Sequence, residues 1–177
     1  MVAPTCPFPD NINPLQSNGF LLAIDKLPEI SFFCQEATIP DISLPPADMD
    51  SPLTVSPIPG EKPSFGDLTV SFLIDEEMKN YRAVYNWIVG MGFPEDRVQY
   101  TNFISGRTNE IATNELVAGY SDGMLQILNN NNKPIQAIQF IDLFPTNLQS
   151  LVLQSTLSDS QYLVATVSFR YTLFKFI

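Results

Sequence analysis

The sequence predicts a mainly β protein, an antiparallel β-sandwich or small barrel with one flanking α-helix, and three features carry that expectation. "DLTVSFLID" (67–75) and "QYLVATVSFRYTLFKF" (161–176) alternate apolar and polar residues with the period of half-buried strands. A single segment, "DEEMKNYRAVYNWIVG" (75–90), switches to a helical period. Most of the fifteen prolines fall in the first third of the chain, which argues for an extended tail and short strands there. With 177 residues the chain is long enough to bury a core of its own, and one domain is expected.

Taken in order, residues 1–17 read as a Pro-rich N-terminal arm, because Pro4, Pro7, Pro9 and Pro14 prevent helix and disfavour a central strand. The domain is expected to occupy 18–177. "GFLLAID" (19–25) and "EISFFCQEATIP" (29–40), separated by "KLP", read as a short antiparallel pair, with Phe32 and Cys34 on one face and Phe33 and Gln35 on the other. Residues 41–66, rich in proline, form an extended loop that cannot be a helix or an inner strand. A loop of that length is a candidate contact element. In the strand at 67–75, Leu68, Val70, Phe72 and Ile74 form the apolar face and Thr69 and Ser71 the other.

The helix is expected at about 76–89, with Met78, Tyr81, Val84, Tyr85 and Ile88 on its stripe. Asp75 is placed as N-cap, Glu76 and Glu77 fall in the first turn where the macrodipole favours carboxylates, and Gly90 is the stop. Residues 91–117 show no sustained period and read as an irregular loop with one short strand. "SDGMLQILNNNNKPIQAIQFIDLF" (121–144) gives two apolar runs around "NNNNKP", a hairpin. In "FIDLFPTNLQSLVL" (140–153), Pro145 cannot donate to a ladder, so a strand ends there or changes sheet. The last strand places Leu163, Ala165, Val167, Phe169, Tyr171 and Leu173 on its apolar face, and its length suggests that it extends beyond one sheet or serves more than one contact.

Chemistry is scarce. The chain has no histidine, which excludes Ser-His-Asp and Cys-His pairs and His-bearing zinc sites. The carboxylate pairs Glu76/Glu77 and Glu95/Asp96 sit at neighbouring positions that do not face each other across a substrate. Cys34, in an apolar run without a cationic neighbour, reads as a small buried hydrophobe, and Cys6 and Cys34 match no metal spacing. The glycines form no phosphate cradle, and Asn129–Asn132 offers no calcium-loop spacing. Phe169, Arg170, Tyr171, Phe174, Lys175 and Phe176 interleave aromatic and basic residues, which core alternation explains better than base stacking. Catalytic, cofactor-binding and metal-binding residues are therefore expected to be absent. The net charge of −10 opposes a phosphate-gripping role. Without a signal peptide or an apolar run of spanning length, a soluble, unexported product without a membrane anchor is expected.

Three segments in order resemble the tail tube proteins of contractile-tailed phages, which share their fold with the type VI secretion tube protein. "NGFLLAIDKLPEISFFCQEATIPDISLPP" is similar to the opening strands and the turn, here Cys34, Ala37, Thr38 and Pro40 with one extra residue. "FGDLTVSFLIDEEMKNYRAVYNWI" is similar to the strand, acidic turn and helix ending near a tryptophan, here Trp87. "IQFIDLFPTNLQSLVLQSTLSDSQYLVATVSFRY" matches the aromatic-Pro-Thr-Asn corner, here Phe144, Pro145, Thr146 and Asn147, which are architectural. The matches span 18–89 and 121–172.

The resemblance implies a homo-hexamer: rings whose sheets close into a continuous β-barrel and stack into the inner tail tube. DNA would pass through the lumen without specific binding, and an acidic lumen would let it slide. Tail sheath, baseplate and tail-terminator proteins are the implied partners, in a virion tail assembled in the host cytoplasm. The leading expectation is the tail tube subunit; a baseplate tube initiator is the runner-up and a type VI secretion tube protein a third alternative. Outside that class, a small ligand-binding β-sandwich fits the composition.

Overall fold

A computed structural model describes residues 14–50, 54–105, 119–154 and 162–177. The described elements run β1 (Phe20–Ile24), α1 (Pro28–Phe33), β2 (Cys34–Ala37), β3 (Ile42–Ser43), β4 (Ala47–Asp50), β5 (Val55–Ile58), β6 (Ser64–Phe65) and β7 (Leu68–Leu73). They continue with α2 (Lys79–Gly92), α3 (Arg97–Ser105), β8 (Ser121–Leu128), β9 (Pro134–Leu148), β10 (Val164–Arg170) and β11 (Leu173–Phe176).

The main sheet has the order β1-β8-β9-β10-β7-β2, with β11 also on β9, and every pairing is antiparallel. Strand β9 joins its two halves. The part before the bend pairs with β8 and β11; the part from Phe144 onward pairs with β10. Asp142, with a left-handed backbone (φ 57°), sits where the strand passes from one half to the other.

The alternating pattern predicts which side chains meet. Leu22, Ile24, Leu125, Ile138 and Phe140 from one half and Leu68, Val70, Phe72, Ala165, Val167 and Phe169 from the other are all buried in a single core. Val84 and Trp87 of α2 and Ile30 of α1 join it. Each fully buried Val, Leu, Ile or Phe among them contributes about 1.5–3 kcal/mol by its removal from water. The mainly β, antiparallel expectation holds, and one chain by itself closes no barrel among its described strands.

Pro145 does not end its strand. It is buried and lies opposite Phe169, where β10 shifts register between Ser168 and Phe169. That irregularity accommodates the missing donor, and the Thr146 hydroxyl donates to the Ser168 carbonyl (3.1 Å) beside it. The segment is thus the sheet-changing corner. The terminal strand likewise divides at Tyr171 and Thr172, with β10 in one half and β11 in the other. Its alternation slips there, so Phe174 rather than Leu173 packs against the core.

Other boundaries differ from expectation. Residues 28–33 are helical because Pro28 occupies a first-turn position and the turn buries Ile30; strand begins only at Cys34. Phe32 is left largely exposed. The expected pairing of the first two strands is replaced by β1 on β8 and β2 on β7. Helix α2 starts three residues later than expected: Met78 is its N-terminal cap residue, and Asp75 does not cap it. Glu76 and Glu77 precede it, and Gly90 lies inside, because Phe93 rather than glycine takes the left-handed C-cap. Its buried face is Asn80, Val84, Trp87 and Gly90, so Tyr85 and Met78 of the expected stripe are exposed. The irregular stretch at 91–117 contains α3, and the loop at 41–66 carries two short ladders, β3/β6 and β4/β5. Most of the N-terminal arm lies outside the described residues.

Candidate assembly surfaces

The long excursion is an arm rooted on the sheet. At its base Ile42 pairs with Phe65 and Ser43 with Ser64, whose hydroxyls lie 2.6 Å apart. Gly66 donates to the Asp41 carbonyl (3.0 Å), and its own carbonyl accepts the Tyr171 hydroxyl (2.9 Å). Arg170 Nε meets Asp67 Oδ1 at 3.0 Å. Rings of Phe65, Tyr171, Phe174 and Phe140 pack at centroid distances of 5.1–6.2 Å around this root. Partial burial, then the charges of Asp41 and Asp67, push the Tyr171 phenol up to about 12, so it remains a donor.

Two glycines fix the arm's path. A Cβ at Gly66 would sit 1.9 Å from Asp41 Oδ1, and one at Gly60 would sit 2.1 Å from the Pro45 carbonyl oxygen. Beyond them, every residue of β4 and β5 is exposed. Outside the arm, β1 and β2 end the strand order, so one backbone edge of each is unpaired within the sheet. The arrangement is suited to pairing and docking.

Several polar side chains outside the arm hold local structure. Glu95 carboxylate accepts the Gln99 side-chain amide (3.1 Å) while Gln99 Oε1 accepts the Glu95 amide (3.3 Å), tying down the start of α3. Glu77 pairs with Lys79 on the exposed turn before α2. Asn129 Oδ1 accepts the amides of Asn131 and Lys133, both at 2.9 Å, which shapes the β8–β9 loop. Burial pushes the Cys34 thiol up to about 11, against a smaller lowering by a backbone hydrogen bond at Glu36, which keeps it protonated at neutral pH. In the aromatic-basic series, Phe169 is core, Arg170 is paired, and Tyr171 and Phe174 stack among themselves. A cleft of about 320 Å³ lies between α1 and the start of α2, lined by Glu29, Phe32, Phe33, Asp75, Lys79 and Asn80. Among the described residues no acidic or cysteine cluster could hold a metal ion, and no helix is long and apolar enough to cross a membrane.

Sequence reasoning found the arm but missed its root. The signal was present in "SFGD", where Gly66 adjoins the alternating strand, but only the fold brings Tyr171 to it.

Residues 7–177 match the family model of phage tail tube proteins. The tail tube terminator protein of Enterobacteria phage T4 is 25% identical over 170 residues, covering 92% of this chain and 89% of that protein. The tube-terminating cap of the anti-feeding prophage superposes with a TM-score of 0.65 at 16% identity, covering 99% of both chains. A chain of the sheath/tube terminator of PVC, an extracellular contractile injection system in its extended state, gives 0.57 at 14% identity over 93% of this chain and 97% of that one. At those identities the structures speak for the fold alone. The resemblance of the three ordered segments and the match across nearly the whole chain coincide: this chain belongs to the phage tail tube protein family.

Proposed function

We propose that the chain is a tube terminator, the subunit that closes the inner tube of a contractile phage tail. The observation that carries this reading is the 25% identity to the phage T4 tail tube terminator, which extends over nearly the full length of both proteins. The exposed arm and the open edges of β1, β2 and β11 support assembly rather than catalysis. Copies set side by side in a ring cover those edges, which would otherwise recruit stray strands. The partners that follow are further copies of this chain, the last ring of tube subunits and the neighbouring sheath, with DNA passing through the ring without specific binding.

A second reading, the repeating tube subunit, is favoured by the description of the matching family model. Copy number separates the two. Quantitative mass spectrometry of purified tails, with cryo-electron microscopy of the tail end, is expected to give a single ring at the tube end distal to the baseplate. Copies in proportion to tube length would establish the repeating subunit instead. A ring beside the baseplate would establish the initiator.

A further inference from the structure

We propose that Asn18 and Gly19 form a self-modification site, where the Asn18 side chain cyclises onto the Gly19 amide and reopens to an isoaspartate that loosens the entry of β1. The chemistry asks for an asparagine that water reaches, a next residue without a side chain to shield the attacked carbon, and a main-chain N–H free to give up its proton. Asn18 is the one asparagine of the sequence that a glycine follows. It is exposed, in the turn at 17–18 that leads into β1. Among the described residues the Gly19 N–H makes no hydrogen bond, whereas its carbonyl accepts the Leu128 amide at 2.8 Å.

Packing accounts for the glycine. A Cβ at position 19 would lie 3.1 Å from the Leu128 carbonyl oxygen and 3.3 Å from Leu128 Cβ, so the backbone runs against β8 more closely than a side chain fits without displacing it. The same close approach leaves Asn18 unshielded. Comparable sites elsewhere are held. Asp122–Gly123, the one aspartate–glycine pair, is fixed in extended form within β8, and its carboxylate accepts the Asp142 amide (3.3 Å). In the run Asn129–Asn132 the Asn129 Oδ1 is taken by the amides of Asn131 and Lys133, and every following residue carries a side chain. Asn80 is buried and Asn147 lies within β9.

The step balances with water alone. The Gly19 nitrogen, deprotonated by hydroxide, attacks Asn18 Cγ; the N–Cγ bond forms, the Cγ–Nδ2 bond breaks, and the departing nitrogen takes a proton from solvent and leaves as ammonia. Water then opens the cyclic imide. Addition at Cγ gives an aspartate with the ordinary main chain, and addition at the main-chain carbonyl gives isoaspartate, whose main chain runs through Cβ and Cγ. Isoaspartate therefore inserts a carbon into the main chain directly before the bond from Leu128 to Gly19. Strand β1 ends the strand order, so no second neighbour holds it in place, and the added carbon is taken up as lost pairing at its Phe20 end. Either product also replaces a neutral amide by a carboxylate on a chain that already carries −10.

The test is ageing of the folded, full-length chain in mildly alkaline buffer, followed by peptide mass spectrometry with electron-transfer fragmentation, which separates isoaspartate from aspartate. Asn18 is expected to convert about tenfold or more faster than any asparagine of 129–132, mainly to isoaspartate, and faster still as pH rises. Asn18→Gln is expected to stop the conversion and leave the thermal transition unchanged. Hydrogen exchange reads the consequence: the Leu128 amide is expected to exchange about tenfold or more faster in aged than in fresh protein, and to stay slow in Asn18→Asp, which carries the charge without the extra carbon. An Asn18 that persists while the asparagines of 129–132 convert, an Asn18→Gln chain that ages like wild type, or a Leu128 amide that exchanges alike in aged, fresh and Asn18→Asp protein would overturn the proposal.

Discussion

Asn80 ties the end of β7 to the start of α2. Its side-chain amide donates to the Leu73 carbonyl (2.7 Å), and its Oδ1 accepts the amides of Asp75 (3.3 Å) and Tyr81 (2.8 Å). The residue is 1% exposed, so Asn80→Leu leaves those partly buried backbone groups without their side-chain partner and is expected to cost about 1–3 kcal/mol. Urea unfolding measures it; a midpoint equal to wild type would remove the tie from the account. Tyr171 gives a second residue-scale outcome. Its ordinary value of 10 rises to about 12 in the fold, so the folded protein holds the proton longer than the unfolded chain. The stability it contributes is complete below pH 10 and is lost as pH rises towards about 12. Cys34 acts with the same sign between 9 and about 11. Tyr171→Phe is therefore expected to flatten the upper part of the alkaline decline in urea midpoint, and an unchanged decline would assign it to other groups. Neither residue was legible as a structural tie in the sequence: an Asn off the apparent helical stripe and a Tyr in an alternating strand acquire partners only when the chain turns and its segments meet.

At the scale of elements, the strands were legible wherever one face is buried and the other is wet. Val167 is fully buried and opposes Val70, whereas Thr166 faces outward with its hydroxyl 3.1 Å from that of Ser71. Val167→Asp is expected to prevent folding, since an unpaired buried carboxylate costs several kcal/mol, on the order of the whole stability margin. Ser168→Asp on the outward face is expected to leave a folded monomer, and thermal unfolding by circular dichroism distinguishes the two. Equal responses would reverse the assignment of faces. The arm offers a local counterpart: Gly60→Ala drives a Cβ into the Pro45 carbonyl and is expected to displace the arm while leaving the thermal transition of the sandwich within about 1 kcal/mol of wild type. The helices were read less well for physical reasons. Six residues of α1 are too short to display a period, and α2 buries a polar residue and a glycine, which shifts its apparent stripe away from Asn80 and Gly90.

For the whole molecule, the sequence supports the family and the sheet-changing corner, but not which of the exposed surfaces an assembly would cover. Alternation specifies what a strand buries within its own chain; it says nothing of which outward face is later covered. Hydrogen exchange tests that division directly. Amides of β9 and β10 lie in the centre of the strand order and are bonded on both sides over part of their length, so their opening is expected to follow global unfolding in free and assembled protein alike. The β4–β5 ribbon has neither burial nor a second sheet neighbour, and its amides are expected to exchange fast in the free chain. On assembly they are expected to slow by about tenfold or more, the change that corresponds to roughly 1.4 kcal/mol of added local stability. Amides at the outer edges of β1 and β2 are expected to slow with them if ring closure pairs those edges. Slowing at the edges with an unprotected ribbon would retain the ring and leave the arm outside its contacts, whereas a slow ribbon in the isolated monomer would mean that the arm is already satisfied within one chain.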